Sequence, residues 1–296
     1  MSIIEIITRK MREFLGAVAY RRTLWRGTAN CSIDQLSLTM LYKQQYDSNM
    51  PIVMFKDVGF RVYSQHEEDG LLLFVFSLIG TTNKRCVELC AGNGIECNTA
   101  NLILNHRWIG LLFDGKRSNT QTALNFYRRH PDSKYWPPVI SNAWITRTNV
   151  NSLIERHGFN GEIDLLSLDV DGVDYWLWDS IHCVNPRVVI LEINHLWGPT
   201  ASVTVPYRDD FIAEFSEYGS DYAGASLAAF IKLGRKKGYR LVGTNAIATN
   251  AIFIRNDIEC AWLPELAPSA CFDHPRAQFG MTYRQANVRD KEWTSV

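Results

Sequence analysis

Predicted helices and strands alternate along most of this sequence, and that alternation limits the folds open to it. From about residue 64 to residue 257, helical segments are each followed by a short apolar run. The runs predicted as strands are RCVELC (85–90), WIGLLFDG (108–115), PPVISNAWI (137–145), IDLLSLDVDG (163–172), RVVILEIN (187–194), YRLVGT (239–244) and AIFIRND (251–257). Helix and strand in alternation are typical of a parallel sheet with helices on both faces.

The last two strands break this pattern. Only the segment NAIATN (245–250) joins them, and the helix before them ends at Gly238. Strands joined by so short a link must pair antiparallel or nearly so. The sequence therefore predicts an α/β fold with a mostly parallel seven-stranded sheet and an antiparallel last strand.

The chain divides into three predicted parts. Residues 1–60 form an N-terminal helical extension, 61–271 form the α/β domain, and 272–296 are polar and aperiodic and are expected to be a surface tail. The extension begins with a basic amphipathic helix over residues 1–26. Packing of that helix on its own domain is favoured over peripheral contact with an anionic membrane.

The composition excludes several classes of protein. Hydrophobic residues make up 46% of the chain, charged residues make up 21%, and the net charge is zero, which argues against a nucleic-acid binder with a large basic surface. The longest apolar run, Leu71–Gly80, is about half the length of a membrane span. Seven cysteines without a regular framework fit free thiols, so we expect a soluble cytoplasmic protein.

The stretch VELCAGNGIEC (87–97) is the first candidate site. The spacings of Cys86, Cys90 and Cys97 match neither paired zinc motifs nor common iron–sulfur motifs. AGNG is neither a dinucleotide-binding GxGxxG loop nor a P-loop. Gly92 and Gly94 nevertheless lie where a strand turns into a helix, and they let a ligand approach the backbone.

Two acids complete this candidate site. Asp114 ends the next predicted strand, where an acid can bind ribose hydroxyls at the carboxyl edge of the sheet. Glu88 adds negative charge before the glycines, which favours a ligand with a positive centre over one with phosphates. A nucleoside with a positive centre is the ligand that this pattern indicates.

These residues resemble a known family. ELCAGNG (88–94) and LLFDG (111–115) resemble motifs one and two of class I S-adenosylmethionine-dependent methyltransferases, with Cys90 at the first glycine position. YSQHEEDGLLLFVF (63–76) and DLLSLDVDGVDYWLWDSI (164–181) resemble FkbM-type methyltransferases, and the resemblance covers about residues 60–257. It implies a Rossmann-like class I methyltransferase fold, S-adenosylmethionine as cofactor, and a cofactor site at Glu88, Gly92, Gly94 and Asp114.

The resemblance also implies further cofactor contacts and an acceptor. The segment with Ser64 and Gln65 would close over the cofactor, and Ser141 and Asn142 would hold the adenine edge. From the residues alone, Asn98 or Thr99 could cap the helix after the glycines, and we count Asn98 among the predicted cofactor contacts. The implied acceptor is a hydroxyl on a small molecule, such as a sugar or a natural-product scaffold.

Methyl transfer to a hydroxyl needs a group that removes the proton, and the fourth and fifth strands end in candidates. We predict Asp169 and His195 as catalytic residues, with Asp169 and Asp171 on opposite faces if the strand is regular. Asp171 and Asp174 would help to cap the next helix. A divalent cation on these acids is left open and is not predicted.

The acceptor site is predicted from the same strand ends and from one long segment. Asp171, Glu192 and Asn194 are expected to contact the substrate. Residues 205–226 are aromatic and aperiodic, as lids and binding loops often are, and they add Tyr207 and Tyr222. Two other functions stay open at this point: a non-catalytic module with this fold, and a non-methylating enzyme that acts on a nucleotide-linked sugar.

Overall fold

The computed structural model describes residues 32–51, 53–216 and 219–296. The predicted basic helix over residues 1–26, and with it the question of membrane contact, lies outside the described residues. A helix over 32–47, α1, is the first described element. None of the helices in the described ranges is long and apolar enough to cross a membrane.

A seven-stranded sheet forms the centre of the molecule. Its strands are β1 (Arg85–Leu89), β2 (Ile109–Asp114), β3 (Val139–Asn142), β4 (Gly161–Leu168), β5 (Val184–Glu192), β9 (Tyr239–Thr244) and β10 (Asn250–Arg255). They lie in the order β3-β2-β1-β4-β5-β10-β9. The first five strands pair in parallel, and β10 pairs antiparallel with both β5 and β9. The prediction of a mostly parallel sheet with an antiparallel last strand is confirmed, and the strand order is that of the Rossmann-like class I methyltransferase fold.

Helices cover both faces of the sheet, as predicted. The sheet's side chains alternate between two hydrophobic clusters: on β4, Leu166 and Leu168 face one cluster and Leu165 faces the other. The helices are α2 (Glu68–Ile79), α3 (Ala100–His106), α4 (Arg117–Tyr127), α5 (Val150–Arg156), α6 (Asp174–Ser180), α7 (Leu227–Lys237) and α8 (Pro275–Phe279). Because the central strands are buried on both faces, they read as nearly continuous apolar runs.

The end of α7 shows how local sequence sets an element boundary. Gly238 follows the helix with φ 85°, and its N–H donates to the Arg235 and Gly234 carbonyl oxygens. This left-handed cap is the stop that the sequence predicted there, because glycine adopts a positive φ without a steric penalty.

Short strands outside the main sheet lie in the second half of the chain. β6 (Val203–Thr204) pairs antiparallel with β11 (Thr294–Ser295), and β7 (Glu214–Ser216) pairs antiparallel with β8 (Gly219–Tyr222). The segment 205–226, a candidate lid or binding loop, therefore contains two short antiparallel strands.

Residues 272–296 fold against the rest of the chain. Phe272, Ala277 and Val288 are buried, and the π-helical turn Gly280–Arg284 packs against the turn His195–Trp197 that follows β5. This segment, called the C-terminal segment below, thereby reaches the carboxyl edge of the sheet. The division of the chain at residues 60 and 271 stays a prediction.

Candidate functional site

The turn from β1 into α3 has an unusual backbone. Cys90, Gly92 and Gly94 all have left-handed φ angles, of 66°, 55° and 68°. A Cβ on Gly94 would lie 2.7 Å from the Ala123 Cβ, so this glycine permits close packing with α4. A Cβ on Gly92 would meet nothing within 4 Å, and Gly92 lines a cleft. Of the two glycines, only Gly92 has its backbone open to a ligand.

Glu88 fixes the start of α3. Its carboxylate accepts hydrogen bonds from the Asn98 and Thr99 N–H groups at 2.9 and 3.0 Å, from the Thr99 hydroxyl, and from the Ser167 hydroxyl at 3.2 Å. Glu88 is 3% exposed, and Asn98 in turn donates from Nδ2 to the Ser167 hydroxyl. Both residues line the cleft, but their hydrogen bonds hold the loop in place.

Asp114 lies at the end of β2 with one oxygen available. Oδ1 accepts from the Lys116 N–H at 2.7 Å and from Asn119 Nδ2 at 3.1 Å. The one described partner of Oδ2 is the Cys90 thiol at 4.0 Å. Asp114 lines the same cleft as Gly92. The carboxylate is therefore oriented by its own loop, and its contact with a ribose stays a prediction.

The main cleft has a volume of about 480 Å³ and opens at the carboxyl ends of the parallel strands. One side consists of the glycine loop and Asp114. The floor is acidic, with Asp169, Asp171 and Glu192. Open α/β sheets bind their ligands at this edge.

Three carboxylates meet at the floor of the main cleft. Asp169, Asp171 and Glu192 each place an oxygen within 4.8 Å of the others. Burial and the charges of Asp174 and Asp171 raise the pKa of Asp169 to about 8. Burial and the Asp169 charge raise the pKa of Glu192 well above its ordinary value. Asp169 and Glu192 thus share a proton at neutral pH, and a cationic ligand would compensate their charge.

The turn after β4 explains why both aspartates face the same cleft. The strand ends at Leu168, and Asp171 has a left-handed φ of 51°. Asp174 accepts from the Val170 and Gly172 N–H groups at 2.8 and 3.1 Å and so closes the turn. The expectation that Asp169 and Asp171 point to opposite faces is wrong, because strand alternation does not extend past Leu168.

His195 and Asn194 follow β5 and have different environments. Asn194 donates to the Asp221 and Ala223 carbonyl oxygens, both at 2.9 Å, and its Oδ1 accepts from the Leu196 N–H. His195 is 6% exposed, and its Nε2 has no hydrogen-bond partner among the described residues. Burial lowers the pKa of His195 to about 4, with help from two arginines, so the ring is neutral at pH 7.

The segment before α2 is pinned by a buried aspartate. Asp69 Oδ2 accepts from the N–H groups of Val62, Tyr63 and Ser64 at 2.7, 2.6 and 2.8 Å. Ser64 is fully buried and bonds the Asp69 N–H, whereas Gln65 lines the main cleft. Of the predicted pair, Gln65 reaches the cleft and Ser64 holds the backbone that presents it.

A second, smaller pocket adjoins the main cleft and shares Cys90 and Asp114 with it. Its volume is about 60 Å³, and its remaining lining is mostly apolar: Gly115, Ala143, Trp144, Ile145, Val170, Val173, Asp209 and Phe211. Trp144 donates from Nε1 to the Asp209 carbonyl oxygen at 2.6 Å. Ser141 and Asn142 line neither pocket, and Asn142 instead donates to the Asp114 and Gly115 carbonyl oxygens.

The two predicted tyrosine contacts lie outside both pockets. Tyr207 bonds Asp209 and accepts from the Arg147 N–H at 2.9 Å. Tyr222 is buried and donates to the Glu292 carbonyl oxygen at 2.7 Å, which connects β8 to the C-terminal segment. Both tyrosines thus make hydrogen bonds within the chain, and their contact with a substrate stays a prediction.

Among the residues of the main cleft that sequence reasoning missed are Asn250, Arg276 and Arg284. Asn250 begins β10 opposite Glu192 in the antiparallel register, and its buried Oδ1 has no hydrogen-bond partner in the part of the chain that the structure describes. A polar residue at the start of an apolar strand was the available signal for Asn250. No sequence signal marked Arg276 and Arg284, because tertiary packing alone brings the C-terminal segment to the cleft.

The donor set of the acidic floor would suit a hard divalent cation. Three carboxylates in reach of one another are oxygen ligands of the kind that Mg²⁺ and Ca²⁺ prefer. The same set would also suit a sulfonium centre and a proton-accepting pair, so the geometry does not require a metal.

Comparison with known proteins gives methyltransferases at low similarity. No family model matches the chain, and no curated protein matches it. A S-adenosylmethionine-dependent methyltransferase from Clostridium acetobutylicum ATCC 824 aligns with TM-score 0.39 and 13% identity over 60% of this chain and 86% of that one. An O-methyltransferase family protein from Burkholderia thailandensis aligns with TM-score 0.37 and 14% identity over 58% of this chain and 50% of that one.

The N-terminal domain of EvdMO1, solved with SAH bound, aligns with TM-score 0.43 and 14% identity over 72% of this chain and 93% of that one. Of the Burkholderia protein, in contrast, this chain spans only half the length. Similarity of this size does not identify a shared reaction, because one fold hosts many functions.

Proposed function

We propose that this protein is an S-adenosylmethionine-dependent methyltransferase that methylates a hydroxyl oxygen of a small molecule, such as a sugar or a natural-product scaffold. The observation that carries the proposal is that Asp114 lines the same cleft as Gly92 and the three carboxylates of Asp169, Asp171 and Glu192, while its Oδ2 has the Cys90 thiol as its one described partner. An acceptor for ribose hydroxyls and negative charge for a sulfonium are thereby present in one cleft.

The residues fit the cofactor at three points. Asp114 would accept from the ribose hydroxyls, and Gly92 would allow the methionine part to approach the loop. The apolar pocket with Trp144 and Phe211 would take the adenine ring, in place of the predicted Ser141 and Asn142. Glu88 and Asn98 would act by holding the loop. When bound, S-adenosylmethionine supplies an electrophilic methyl group.

Asp169 is the stronger candidate for accepting the hydroxyl proton. Its raised pKa of about 8 makes its deprotonated carboxylate a stronger base than the buried His195 ring, whose pKa is about 4. Glu192 would share the proton, and His195 would orient the acceptor. Asp171 would contribute negative charge beside the acceptor, and Asn194 would position His195.

The cytoplasmic location and the FkbM-type subfamily are part of this proposal and rest on the sequence alone. The segment with Ser64, Gln65 and Asp69 resembles the Ser-Gln-x-x-x-Asp pattern of FkbM-type proteins. In this chain Asp69 accepts a hydrogen bond from the Ser64 N–H and so holds the backbone next to Gln65, which lines the main cleft.

Titration calorimetry with S-adenosylhomocysteine (SAH) tests the cofactor site. The variant Asp114→Asn keeps one carbonyl oxygen for the Lys116 N–H but replaces an acceptor with a donor. Because a hydrogen bond to a charged group contributes about 1.5–3 kcal/mol, we expect the variant to bind SAH about tenfold more weakly or worse. Asp290→Asn is the matched control, since Asp290 is 88% exposed and outside the cleft. If the wild-type protein gives no binding heat and no thermal shift with SAH, the proposal fails.

A further inference from the structure

Two arginines form part of the main cleft's wall. Arg276 lies in α8 and Arg284 ends the π-helical turn that follows, both in the C-terminal segment. Among the described residues that line the main cleft, they carry the only guanidinium or ammonium groups. The cleft therefore has an acidic floor and one basic region.

The Arg284 side chain is held in a buried ion pair. Its side chain is 6% exposed and forms an ion pair with Asp221, which is also 6% exposed. Arg284 Nε donates to Asp221 Oδ1 at 3.0 Å. A buried pair of this kind neutralises its own charge, so Arg284 contributes little net charge to a ligand.

The backbone of Arg276 is also held in place, but no ion pair with a described residue neutralises its side-chain charge. The helix starts at Pro275, and the His274 ring Nδ1 accepts from the Arg276 N–H at 3.1 Å. Ala277 is fully buried, and a Cβ on Gly280 would lie 2.5 Å from His195 Nε2, so the segment packs tightly onto the site. The Arg276 side chain is exposed at the cleft and makes no hydrogen bond or ion pair with any residue in the described ranges.

The charge pattern of the cleft orients an acceptor. An anionic group beside Asp169, Asp171 or Glu192 would be repelled, whereas the same group beside Arg276 would be attracted. Both arginines act on the pKa of His195, which places them within electrostatic reach of the turn after β5. A molecule with a hydroxyl at one end and a negative group at the other would fit between the two regions.

We propose that Arg276 binds a negatively charged oxygen group, a carboxylate or a phosphate, on the methyl acceptor. The inference rests on the proposed function, and it narrows the acceptor from small-molecule hydroxyls in general to anionic ones. Guanidinium groups bind such oxygens in bidentate geometry with charge-assisted hydrogen bonds. Arg276 is a binding residue in this proposal and takes no part in proton transfer.

Anion titrations of the full chain test the proposal. Inorganic phosphate and acetate are titrated separately, with and without saturating SAH, against chloride at matched ionic strength, and binding is followed by thermal shift and calorimetry. We expect at least one of the two anions to bind the wild-type protein, and to bind Arg276→Gln about tenfold more weakly. Arg289→Gln is the control, because Arg289 belongs to the same segment, is 64% exposed and lies outside the cleft.

Every outcome of these titrations is informative. Binding of phosphate alone indicates a phosphorylated acceptor, and binding of acetate alone indicates a carboxylated one. Equal affinities in the wild type and Arg276→Gln, or no binding of either anion, overturn the proposal. A weaker affinity of Arg276→Gln for SAH also overturns it, because the arginine would then hold the carboxylate of the cofactor. If the wild-type protein does not bind SAH, the proposed function fails instead. The anion titrations without SAH still show in that case whether Arg276 binds an anion.

Discussion

Asp169 and Glu192, which follow and end two adjacent parallel strands, place carboxylate oxygens within 4.8 Å of each other at the floor of the main cleft. Their mutual repulsion and burial keep a proton on the pair at neutral pH. Two carboxyl groups that are buried so close together disfavour folding. Their shifted pKa values determine how activity and stability should change with pH.

The first prediction concerns activity. If Asp169 accepts the hydroxyl proton, kcat/KM for the methyl donor should rise with pH and level off above about 8, the raised pKa of that carboxyl. Asp171 contributes to the raised pKa, so Asp171→Asn should move the midpoint of the rise to lower pH. The measurement is a pH profile of methyl transfer, followed by mass spectrometry. If kcat/KM does not change with pH below about 8, Asp169 is not the base.

The second prediction concerns stability. Between its ordinary pKa of 3.8 and the raised value of about 8, the Asp169 carboxyl keeps its proton in the folded state and loses it in the unfolded state. Its contribution to stability therefore falls as pH rises through this window. Asp169→Asn removes that penalty, so its Tm should exceed the wild-type Tm by a margin that grows with pH. A Tm difference that is the same at both ends of the window would contradict the assigned shift, and Asp290→Asn serves as the control.

The third prediction concerns the residue at the first glycine position. Cys90 has a φ of 66°, a conformation that costs a non-glycine residue about 1–2 kcal/mol. Cys90→Gly should fold with equal or greater stability and keep SAH binding. Cys90→Val should lose stability, since a β-branched residue is strongly disfavoured there. Denaturant unfolding measures both, and equal stability of the two variants would show that the left-handed turn is not required.

The fourth prediction separates the two loop glycines. Both have a positive φ, but a Cβ at Gly94 would collide with Ala123, whereas a Cβ at Gly92 would extend into open space. Gly94→Ala should therefore lower the Tm more than Gly92→Ala does. Gly92→Ala should show the larger loss of SAH affinity, because its methyl group would stand where the cofactor approaches. The reverse pattern would place the ligand on the other side of the loop.

The sheet could be predicted from the sequence because buried strand positions must be apolar, and this requirement leaves a pattern in the sequence. β4 packs Leu165 into one hydrophobic cluster and Leu166 and Leu168 into the other, so its sequence is apolar on both faces there. A glycine is favoured after α7 because the φ of Gly238 is positive. Asp114 and Gly92 were predictable for a related reason, since the carboxyl edge of a parallel sheet fixes where strand-ending residues meet.

The rest of the site depends on packing that no local pattern encodes. Tyr222 lies in the predicted binding loop but is buried under the C-terminal segment, and Ser141 ends β3 without reaching either pocket. Arg276 comes from a polar, aperiodic stretch, and the contact between Gly280 and His195 brings it to the cleft. Contacts between segments this far apart in sequence are set by tertiary structure.

A crystal structure of the protein soaked with SAH would locate the cofactor. We expect ribose hydroxyls within hydrogen-bond distance of Asp114 Oδ2, the adenine ring beside Trp144, and the amino-acid part against the Gly92 backbone. SAH bound elsewhere, or a cleft in which the Cys90 side chain blocks the amino-acid part, would contradict the proposed cofactor site.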